Sequence, residues 1–314
     1  MSRSMVKGRY SIKNWAQYNE SLVNRGSITF WFDEQVLAQW EHRNFTIKNG
    51  RPFTYSDRAI EAILLMREAL RLPYRQTEGM ARSLLQLLRA ELTVPDYTSL
   101  AKRAAKLAVS LPTLPRSGAV HVLIDSTGLK VFGEGEWKVR QHGVSKRRTW
   151  RKLHLCVDPA TREILAEALT ENSVGDLEPV VELLSEAARV APLASMTGDG
   201  AYDSHALHDI LALGPIEARI PPDKNAVIRR HGNAAGPKLP RDEAIRAIRR
   251  MGRKAWKRKV GYHQRSLAET TMFRYKTTFD GKLKNRRFDN QQTEARLRCK
   301  ILNQYTHLGL PQYA

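Results

Sequence analysis

The spacing of apolar residues predicts helices in the first third of the chain. From Thr54 onward they recur at helical intervals, and Asp57 follows three residues later as in a capping box. A second helix is expected from Thr77 and a third over residues 99–107. Three short helices with tight connections are typical of a helix-turn-helix-like, all-α DNA-binding domain, although a bundle used only for packing or dimerisation has the same pattern.

Arginines lie outside the apolar stripes of these helices and remain available to contact phosphate. Arg75 and Arg82 are the predicted DNA contacts among them. Residues 1–50 mix charges with aromatic side chains and show no clean period. Two interpretations stay open for that segment: it packs over a neighbouring domain, or it forms an arm that meets DNA.

A linker is predicted at residues 111–118, where LPTLPRSG carries two prolines and a glycine. We therefore expect an N-terminal helical domain over 1–115 and a second domain over 116–314, with a small insertion near 222–260.

The second domain shows strand-like patterns first and helical ones later. The apolar run AVHVLID is a strand ending at Asp125, and a tight turn at 126–128 is expected to lead into the next strand. Alternating segments follow on both sides of the turn DPAT, then helices alternate with short strands, one of which ends at Asp199. A single basic helix over 241–259 and a final helix over 290–307 complete the pattern. This order predicts an α/β fold with a mixed sheet flanked by helices.

The charge balance indicates a polyanionic partner. The chain has 52 Lys and Arg against 32 Asp and Glu, a net charge of +20, which favours nucleic acid. Residues 241–290 alone hold 16 basic and 5 acidic residues. Within the basic helix we expect phosphate contacts from Arg249, Arg250, Arg253, Lys254, Lys257, Arg258 and Lys259. A basic protein with nonspecific RNA affinity is the alternative on composition alone.

Composition also argues against other classes of protein. Two cysteines, Cys156 and Cys299, are too few for a zinc cluster or a disulfide framework and are expected to be buried thiols. No apolar run approaches the roughly 18 residues of a membrane span, and the N-terminus has no apolar core of a secretory signal. We therefore expect an intracellular protein with no membrane partner.

The positions of three acids in the predicted elements make them candidates for catalysis. Asp125 and Asp199 follow strands, Glu269 lies on a predicted helix, and gaps of 74 and 70 residues separate them. Carboxylates at strand ends collect at one edge of a sheet, and a helix packed there adds a third. An all-oxygen donor set favours Mg²⁺ or Mn²⁺ over zinc, and two such ions would support phosphodiester chemistry.

The stretch 261–276 places Glu269 on an unusual polar helix face. At about 100° per residue, four side chains fall within about 60° of arc: Tyr262, Arg265, Glu269 and Lys276. One carboxylate among a phenol, a guanidinium and an ammonium group suits a site beside a polyanion.

These residues resemble the signature of a known enzyme family. Tyr262, Arg265, Glu269 and Lys276 have the spacing Y-x2-R-x3-E-x6-K of bacterial insertion-sequence DDE transposases, of the insertion-sequence four and five groups. IDSTGLK around Asp125 and GDGAYDS around Asp199 resemble the first and second acid motifs of these enzymes. The segment YSDRAIEAILLMREALRLPYRQTEGMARSLL is similar to the pre-catalytic region of the insertion-sequence five family, so the resemblance covers most of the chain.

The resemblance implies an RNase H-like catalytic domain whose acids are Asp125, Asp199 and Glu269. Two Mg²⁺ ions would support hydrolysis at the transposon ends and attack of the 3′-hydroxyl on target DNA. Tyr262, Arg265 and Lys276 match accessory positions that contact DNA near the cut.

The family also implies partners and a location. The DNA partners would be terminal inverted repeats and target DNA, and the protein would form a homodimer or larger assembly during synapsis. Its location would be the bacterial cytoplasm, in association with the nucleoid. Two other functions remain as alternatives: a catalytically silent DNA-binding protein derived from a transposase, and an RNase H-like structure-specific nuclease.

Overall fold

A computed structural model describes residues 11–42, 53–131, 150–231 and 236–313. Numbered in chain order, the helices are α1 (Trp15–Asn24), α2 (Glu34–Ala38), α3 (Asp57–Leu70), α4 (Tyr74–Leu87), α5 (Tyr97–Ala104), α6 (Val180–Ala188), α7 (His205–Leu213), α8 (Pro240–Met251), α9 (Arg253–Lys259), α10 (Ser266–Phe279) and α11 (Phe288–Leu308). The strands are β1 (Val120–Val131), β2 (Trp150–Val157), β3 (Ile164–Glu171), β4 (Leu193–Thr197), β5 (Glu217–Arg219) and β6 (Lys282–Leu283).

The strands form one mixed sheet in the order β3-β2-β1-β4-β5, with β6 paired to the end of β1. The first three strands are antiparallel, whereas β4 and β5 run parallel to β1. Antiparallel neighbours need only a short turn, and parallel neighbours need a crossover, which α6 and α7 supply here. The predicted mixed α/β sheet flanked by helices is confirmed.

Strand β1 corrects one prediction. The turn expected at 126–128 is absent, since β1 continues through it and pairs Ser126 with His154 and Gly128 with Lys152 of β2. Gly128 leaves room for the ring of Trp150, because a Cβ at 128 would come within 3.2 Å of that ring. Asp125 therefore lies inside a strand that has neighbours on both sides.

Two hydrophobic cores cover the two faces of the sheet. Alternate residues of β1 serve each one: Leu123 and Leu129 face a core shared with α3–α5, α10 and α11, whereas Val122 and Ile124 face a core shared with α6 and α7. The N-terminal helices are thus packed against the sheet through a common core. A domain division near residue 115 stays a prediction.

The first three predicted helices are present with shifted starts. Ser56, and not Thr54, caps α3 by accepting from the amide of Ala59 at 3.0 Å. Helix α4 begins at Tyr74, directly after Pro73, and Asp96 caps α5. Whether these helices form a helix-turn-helix DNA-binding unit stays a prediction.

The described part of the N-terminal segment packs on the body of the protein. The Asn14 amide donates to the carbonyl of Leu310 at 3.0 Å, and Trp31, Phe32 and Trp40 are buried in the first core. Residues 11–42 therefore pack against the rest of the protein, and a contact between this segment and DNA stays a prediction. Cys156 and Cys299 are buried free thiols, as predicted. Among the described helices, none combines the length and the apolar character that crossing a membrane requires.

The single basic helix predicted over 241–259 is wrong, because the chain breaks at Gly252. That glycine has φ +83°, a conformation that side chains with a Cβ rarely adopt, and it separates α8 from α9. Arg253 holds the junction, donating to the carbonyls of Pro222 at 2.7 Å and Asp223 at 3.3 Å.

Candidate active site

Asp125 and Asp199 stand at the same level of the sheet. Strands β1 and β4 are parallel neighbours in which Leu123 pairs with Thr197, and each acid follows its paired residue by two positions. The Asp199 carboxylate accepts from the amide of Ala201 at 2.9 Å, which caps the short 3-10 turn 200–202. The two aspartates are therefore brought together by strand register.

Glu269 enters the site from α10, in its first turn. The residues before it differ from the prediction, since Tyr262–Arg265 is a 3-10 turn and not part of the α-helix. Residues three apart eclipse in a 3-10 turn, so Tyr262 and Arg265 still share one side. The predicted polar face survives, although its geometry is not that of one continuous helix.

Arg265 joins two of the three acids. One of its terminal nitrogens donates to Asp125 Oδ2 at 2.8 Å, and the other donates to Glu269 Oε1 at 2.6 Å. Asp125 lies on β1 and Glu269 on α10, so the guanidinium links the sheet to the helix packed across it. Bonds of this kind between ionised partners are stronger than neutral hydrogen bonds.

The charges of the other two acids affect the pKa of Asp125. Burial raises the pKa of Asp125 above its ordinary value, and the negative charges of Asp199 and Glu269 raise it further. The Ser126 amide and the Arg265 guanidinium oppose this rise. Concentrated negative charge with one internal cation is an arrangement that favours binding of further cations.

Tyr262 completes the group around the acids. Burial raises the pKa of its phenol, and the charges of Asp199, Asp125 and Glu269 add to that rise while Arg265 opposes it. The ammonium of Lys257 lies 4.5 Å from the centroid of the ring. A phenol thus stands between the acids and the basic helix α9.

The loop that carries Asp199 is held by an ion pair that sequence reasoning missed. Arg241 of α8 donates to both oxygens of Asp203, at 2.7 and 2.8 Å, and the side chain of Asp203 is only 2% exposed. Asp203 also accepts from the amide of Asp223 at 3.0 Å, and His208 lies 3.3 Å away. Its only sequence signal was an acid four residues after Asp199, a pattern that equally fits a turn residue.

Gly198 lets this loop pack tightly. A Cβ there would come within 2.9 Å of the buried Tyr202 ring, a distance that real Cβ atoms essentially never show. Gly198, Tyr202 and Asp203 thus fix the backbone on both sides of Asp199.

Several basic side chains of α8 and α9 are exposed, and some of them also line a cavity. Arg249, Arg250, Lys254, Arg258 and Lys259 are exposed. A cavity of about 450 Å³ beside Tyr262 is lined by Arg253, Lys254, Lys257, Arg258, Tyr262 and His263. This basic concavity adjoins the acids through Tyr262.

Three predicted contacts lie apart from the acids. Lys276 is exposed on α10, about 10 Å along the axis from Glu269, given a rise of about 1.5 Å per residue. Arg75 and Arg82 are exposed on α4, where Arg75 stacks 4.9 Å from the Tyr97 ring centroid and Arg82 pairs with Glu78.

Comparison with protein families identifies the chain. A model described as "Transposase DDE domain" matches residues 116–304, more than half of the sequence, and a second model of the same description matches 23–134. The chain belongs to the transposase DDE domain family. It is a transposase-family protein of DNA recombination, and the resemblance to DDE transposases is confirmed at that level.

Solved structures with some similarity to this DDE-family chain are themselves transposase complexes. The piggyBac transposase synaptic complex with hairpin DNA has a TM-score of 0.38 at 12% identity, covering 97% of this chain and 80% of that one. A pre-cleavage Mos1 transpososome has a TM-score of 0.23 at 10% identity, covering 59% and 64%. The family assignment rests on the sequence matches and not on these scores.

The donor set of this DDE-family site fits a hard divalent cation. Asp125, Asp199 and Glu269 offer carboxylate oxygens, which Mg²⁺ and Mn²⁺ prefer. Within the described ranges, no three His, Cys, Asp or Glu side chains are already gathered closely enough to hold a metal ion. Arg265 instead occupies the space between two of the acids.

Proposed function

We propose that this protein is an active DNA transposase of the insertion-sequence five family, with Asp125, Asp199 and Glu269 as its catalytic acids. The observation that carries the proposal is the pairing of Arg265 with Asp125 of β1 and Glu269 of α10, next to the parallel strand β4 that leads to Asp199. The reaction would be hydrolysis at the ends of the element, followed by attack of the freed 3′-hydroxyl on target DNA.

The sheet supports an RNase H-like catalytic domain. Its order β3-β2-β1-β4-β5 combines three antiparallel strands with two parallel ones, which agrees with the mixed sheet flanked by helices that the family resemblance implies. Its first strand carries Asp125, Asp199 follows the end of its fourth strand by two residues, and the late helix α10 carries Glu269.

The acids would hold two Mg²⁺ or Mn²⁺ ions, which when bound would activate the attacking oxygen and stabilise the leaving one. Arg265 and Tyr262 have roles beside these acids. A guanidinium that moved off Asp125 and Glu269 would be free to contact a phosphate at the cut. The phenol of Tyr262 forms the boundary between the acids and the basic concavity, where it would position the strand.

The DNA path is supported by charge. The exposed basic side chains of α8 and α9 lead to Tyr262 and then to the acids. Double-stranded DNA carrying the terminal inverted repeats would bind there, with Lys276 further along α10 and the arginines of α4 as additional contacts. Pairing two ends requires at least a dimer during synapsis.

The direct test is cleavage of a duplex that carries the DNA flanking this coding frame. With Mg²⁺ we expect nicks at the boundary of the inverted repeat that leave 3′-hydroxyl ends, and joining of those ends to a plasmid. A duplex with the repeat scrambled and a reaction with chelator are the controls. Cleavage that follows branch or lesion structure and ignores the repeat would contradict the proposal and favour a structure-specific nuclease.

Binding without any metal-dependent product would favour the other alternative, a DNA-binding protein without catalysis. A native gel detects the bound duplex, and a denaturing gel of the same reaction detects the cut strands.

A further inference from the structure

Three arginines meet in a cavity on a different side of α10 from the acids. The cavity has a volume of about 370 Å³, and its walls come from α1, the turn between β2 and β3, α10 and α11. The lining residues that matter here are Tyr18, Arg25, Arg162, Phe273, Arg274 and Tyr305. Arg274 follows Glu269 by five residues, so the two side chains point about 140° apart around the helix.

The three guanidinium groups have no acidic partner in the part of the chain that the structure describes. Within the described residues no carboxylate forms an ion pair with Arg25, Arg162 or Arg274. Arg274 has one hydrogen bond, to the Thr306 hydroxyl at 3.0 Å. Arg25 reaches the Gly309 carbonyl at 3.5 Å, and its Nε is buried without a partner. Buried donors left unsatisfied are costly and are rare in native proteins.

The cluster also carries a like-charge cost. Burial together with the positive charges of Arg25 and Arg162 lowers the pKa of Arg274 to about 10. Three like charges gathered in one cavity repel one another, and an anion placed among them would offset that cost. A planar fork of donors suits phosphate, because it binds two oxygens at once.

Aromatic rings surround the same space. The Arg25 guanidinium lies 5.9 Å from the Tyr18 ring centroid and 5.1 Å from that of Tyr305. Phe273 is 68% exposed beside the cavity, although it is a large apolar side chain. A phosphate-bearing ligand with a flat base would satisfy both the arginines and this ring, since bases stack on aromatic side chains. The volume is within the range of about 300–1,000 Å³ for small-ligand sites.

We propose that the cavity between α1, α10 and α11 binds a nucleotide unit, with Arg25, Arg162 and Arg274 around its phosphate. The unit has two possible sources, the backbone of a DNA segment other than the one at the acids, or a free mononucleotide. The proposal does not rest on the catalytic assignment, because neither Asp125, Asp199 nor Glu269 lines this cavity.

The test uses the full-length protein in metal-free buffer, where no DNA is cut. A dicarbonyl reagent modifies accessible arginines, and mass spectrometry measures its reaction at Arg25 and Arg162 with and without ligand. The probes are inorganic phosphate, thymidine monophosphate and a 12-base-pair duplex. We expect at least one probe to protect both Arg25 and Arg162 from the reagent. Protection by the mononucleotide would assign a free nucleotide, and protection by the duplex without protection by the mononucleotide would assign the DNA backbone.

Affinity is compared between a double variant and a charge-matched control. R25Q/R162Q removes two cations from the cavity, whereas R189Q/K106Q removes two exposed cations elsewhere. The protecting probe should bind R25Q/R162Q at least about tenfold more weakly than the control, since hydrogen bonds to charged groups are individually strong. If Arg25→Gln disturbs folding through its contacts with Tyr18 and Tyr305, R162Q alone carries the comparison.

Two results would overturn the site. One is the absence of protection by any of the three probes. The other is an equal loss of affinity in R189Q/K106Q, which would assign binding to general charge. The Glu269→Gln variant should keep this binding in full, so failure of the transposase reaction and failure of this site are separately visible.

Discussion

The guanidinium of Arg265 lies 2.8 Å from Oδ2 of Asp125, a carboxylate that burial and two other acids already disfavour as an anion. The same side chain also reaches Glu269. An internal cation therefore neutralises oxygens that the proposed metal ions would need. Binding of metal and release of Arg265 from the acids are expected to be coupled.

The first prediction concerns this competition. Arg265→Gln should tighten Mn²⁺ binding by about tenfold at pH 8, because a charge-assisted hydrogen bond worth about 1.5–3 kcal/mol no longer opposes the ion. Isothermal calorimetry of the protein without DNA measures it. Cleavage of the end duplex should fall in the same variant, since the phosphate contact is lost. Arg189→Gln is the control, and weaker Mn²⁺ binding in Arg265→Gln would show that the arginine organises the acids instead.

The second prediction concerns the pair that fixes the Asp199 loop. Asp203→Asn leaves Arg241 buried with no anionic partner, which typically costs about 3–5 kcal/mol of unfolding free energy. Urea unfolding measures the loss. Glu243→Gln breaks the exposed pair with Arg246 on the same helix and should cost under about 1 kcal/mol. Similar losses in the two variants would mean that the buried pair does not hold the loop.

The Asp203 pair also has a pH dependence of known sign. The nearby His208 ring and the hydrogen bonds from Arg241 outweigh burial and depress the pKa of Asp203 below its usual value of 3.8. A depressed carboxyl pKa stabilises the folded state above the unfolded pKa, and this contribution is lost as pH falls below about 4. The difference in unfolding free energy between Asp203→Asn and the wild type should therefore become smaller as the pH falls below about 4.

The third prediction has the opposite sign and concerns Glu167. Burial raises the pKa of this carboxyl from 4.5 to about 7, despite the nearby Arg296. The folded state then binds the proton more tightly, so the contribution is fully present below pH 4.5 and is lost as pH rises through 7. The unfolding free energy should fall less between pH 4.5 and pH 7 in Glu167→Gln than in the wild type, by on the order of 3 kcal/mol. The exposed Glu91→Gln, whose charge does not contribute to the pKa of Glu167, should leave the slope unchanged. An unaltered slope in Glu167→Gln would refute the assignment.

The sequence predicted the sheet and its acids because strand and helix periodicities are local. Asp125 and Asp199 follow apolar runs that any packed sheet would bury, and β2 and β3 alternate visibly around a turn. The predicted turn after Asp125 was wrong because Ser126 and Gly128 favour turns locally, whereas pairing with His154 and Lys152 of β2 keeps the strand extended. That competition involves residues far apart in sequence.

The elements that carry Asp125, Asp199 and Glu269 were predictable, whereas the contacts of these acids were not, and their catalytic role stays a prediction. Spacing places Arg265 and Glu269 on one side, yet the bond from Arg265 to Asp125 joins residues 140 positions apart. The pairing of Arg241 with Asp203 is equally non-local, and Gly252 hides the break between α8 and α9 inside a run of good helix formers. Arg25, Arg162 and Arg274, which line the cavity between α1, α10 and α11, come from separate parts of the chain, so no local sequence pattern predicts that they lie together.

The fourth prediction concerns the basic helices. The exposed side chains Arg249, Arg250 and Lys254 should each contribute about 0.9 to the log–log salt slope of DNA binding if each contacts a phosphate. R249Q/R250Q/K254Q should therefore lower the slope by about 2.7 across sequences. Arg253→Gln should instead lower the melting temperature, because it loses the carbonyls of Pro222 and Asp223. An unchanged slope in the triple variant would mean that these helices face away from the DNA.

The central claim is that Glu269 is the third acid of a metal-dependent cleavage site. The most direct measurement compares wild type and Glu269→Gln for Mg²⁺-dependent nicking of the terminal-repeat duplex, with DNA affinity measured in parallel. We expect nicking to fall by at least about a thousandfold, on the order of 4 kcal/mol in the barrier, with affinity unchanged. Nicking by Glu269→Gln at the wild-type rate would contradict the assignment.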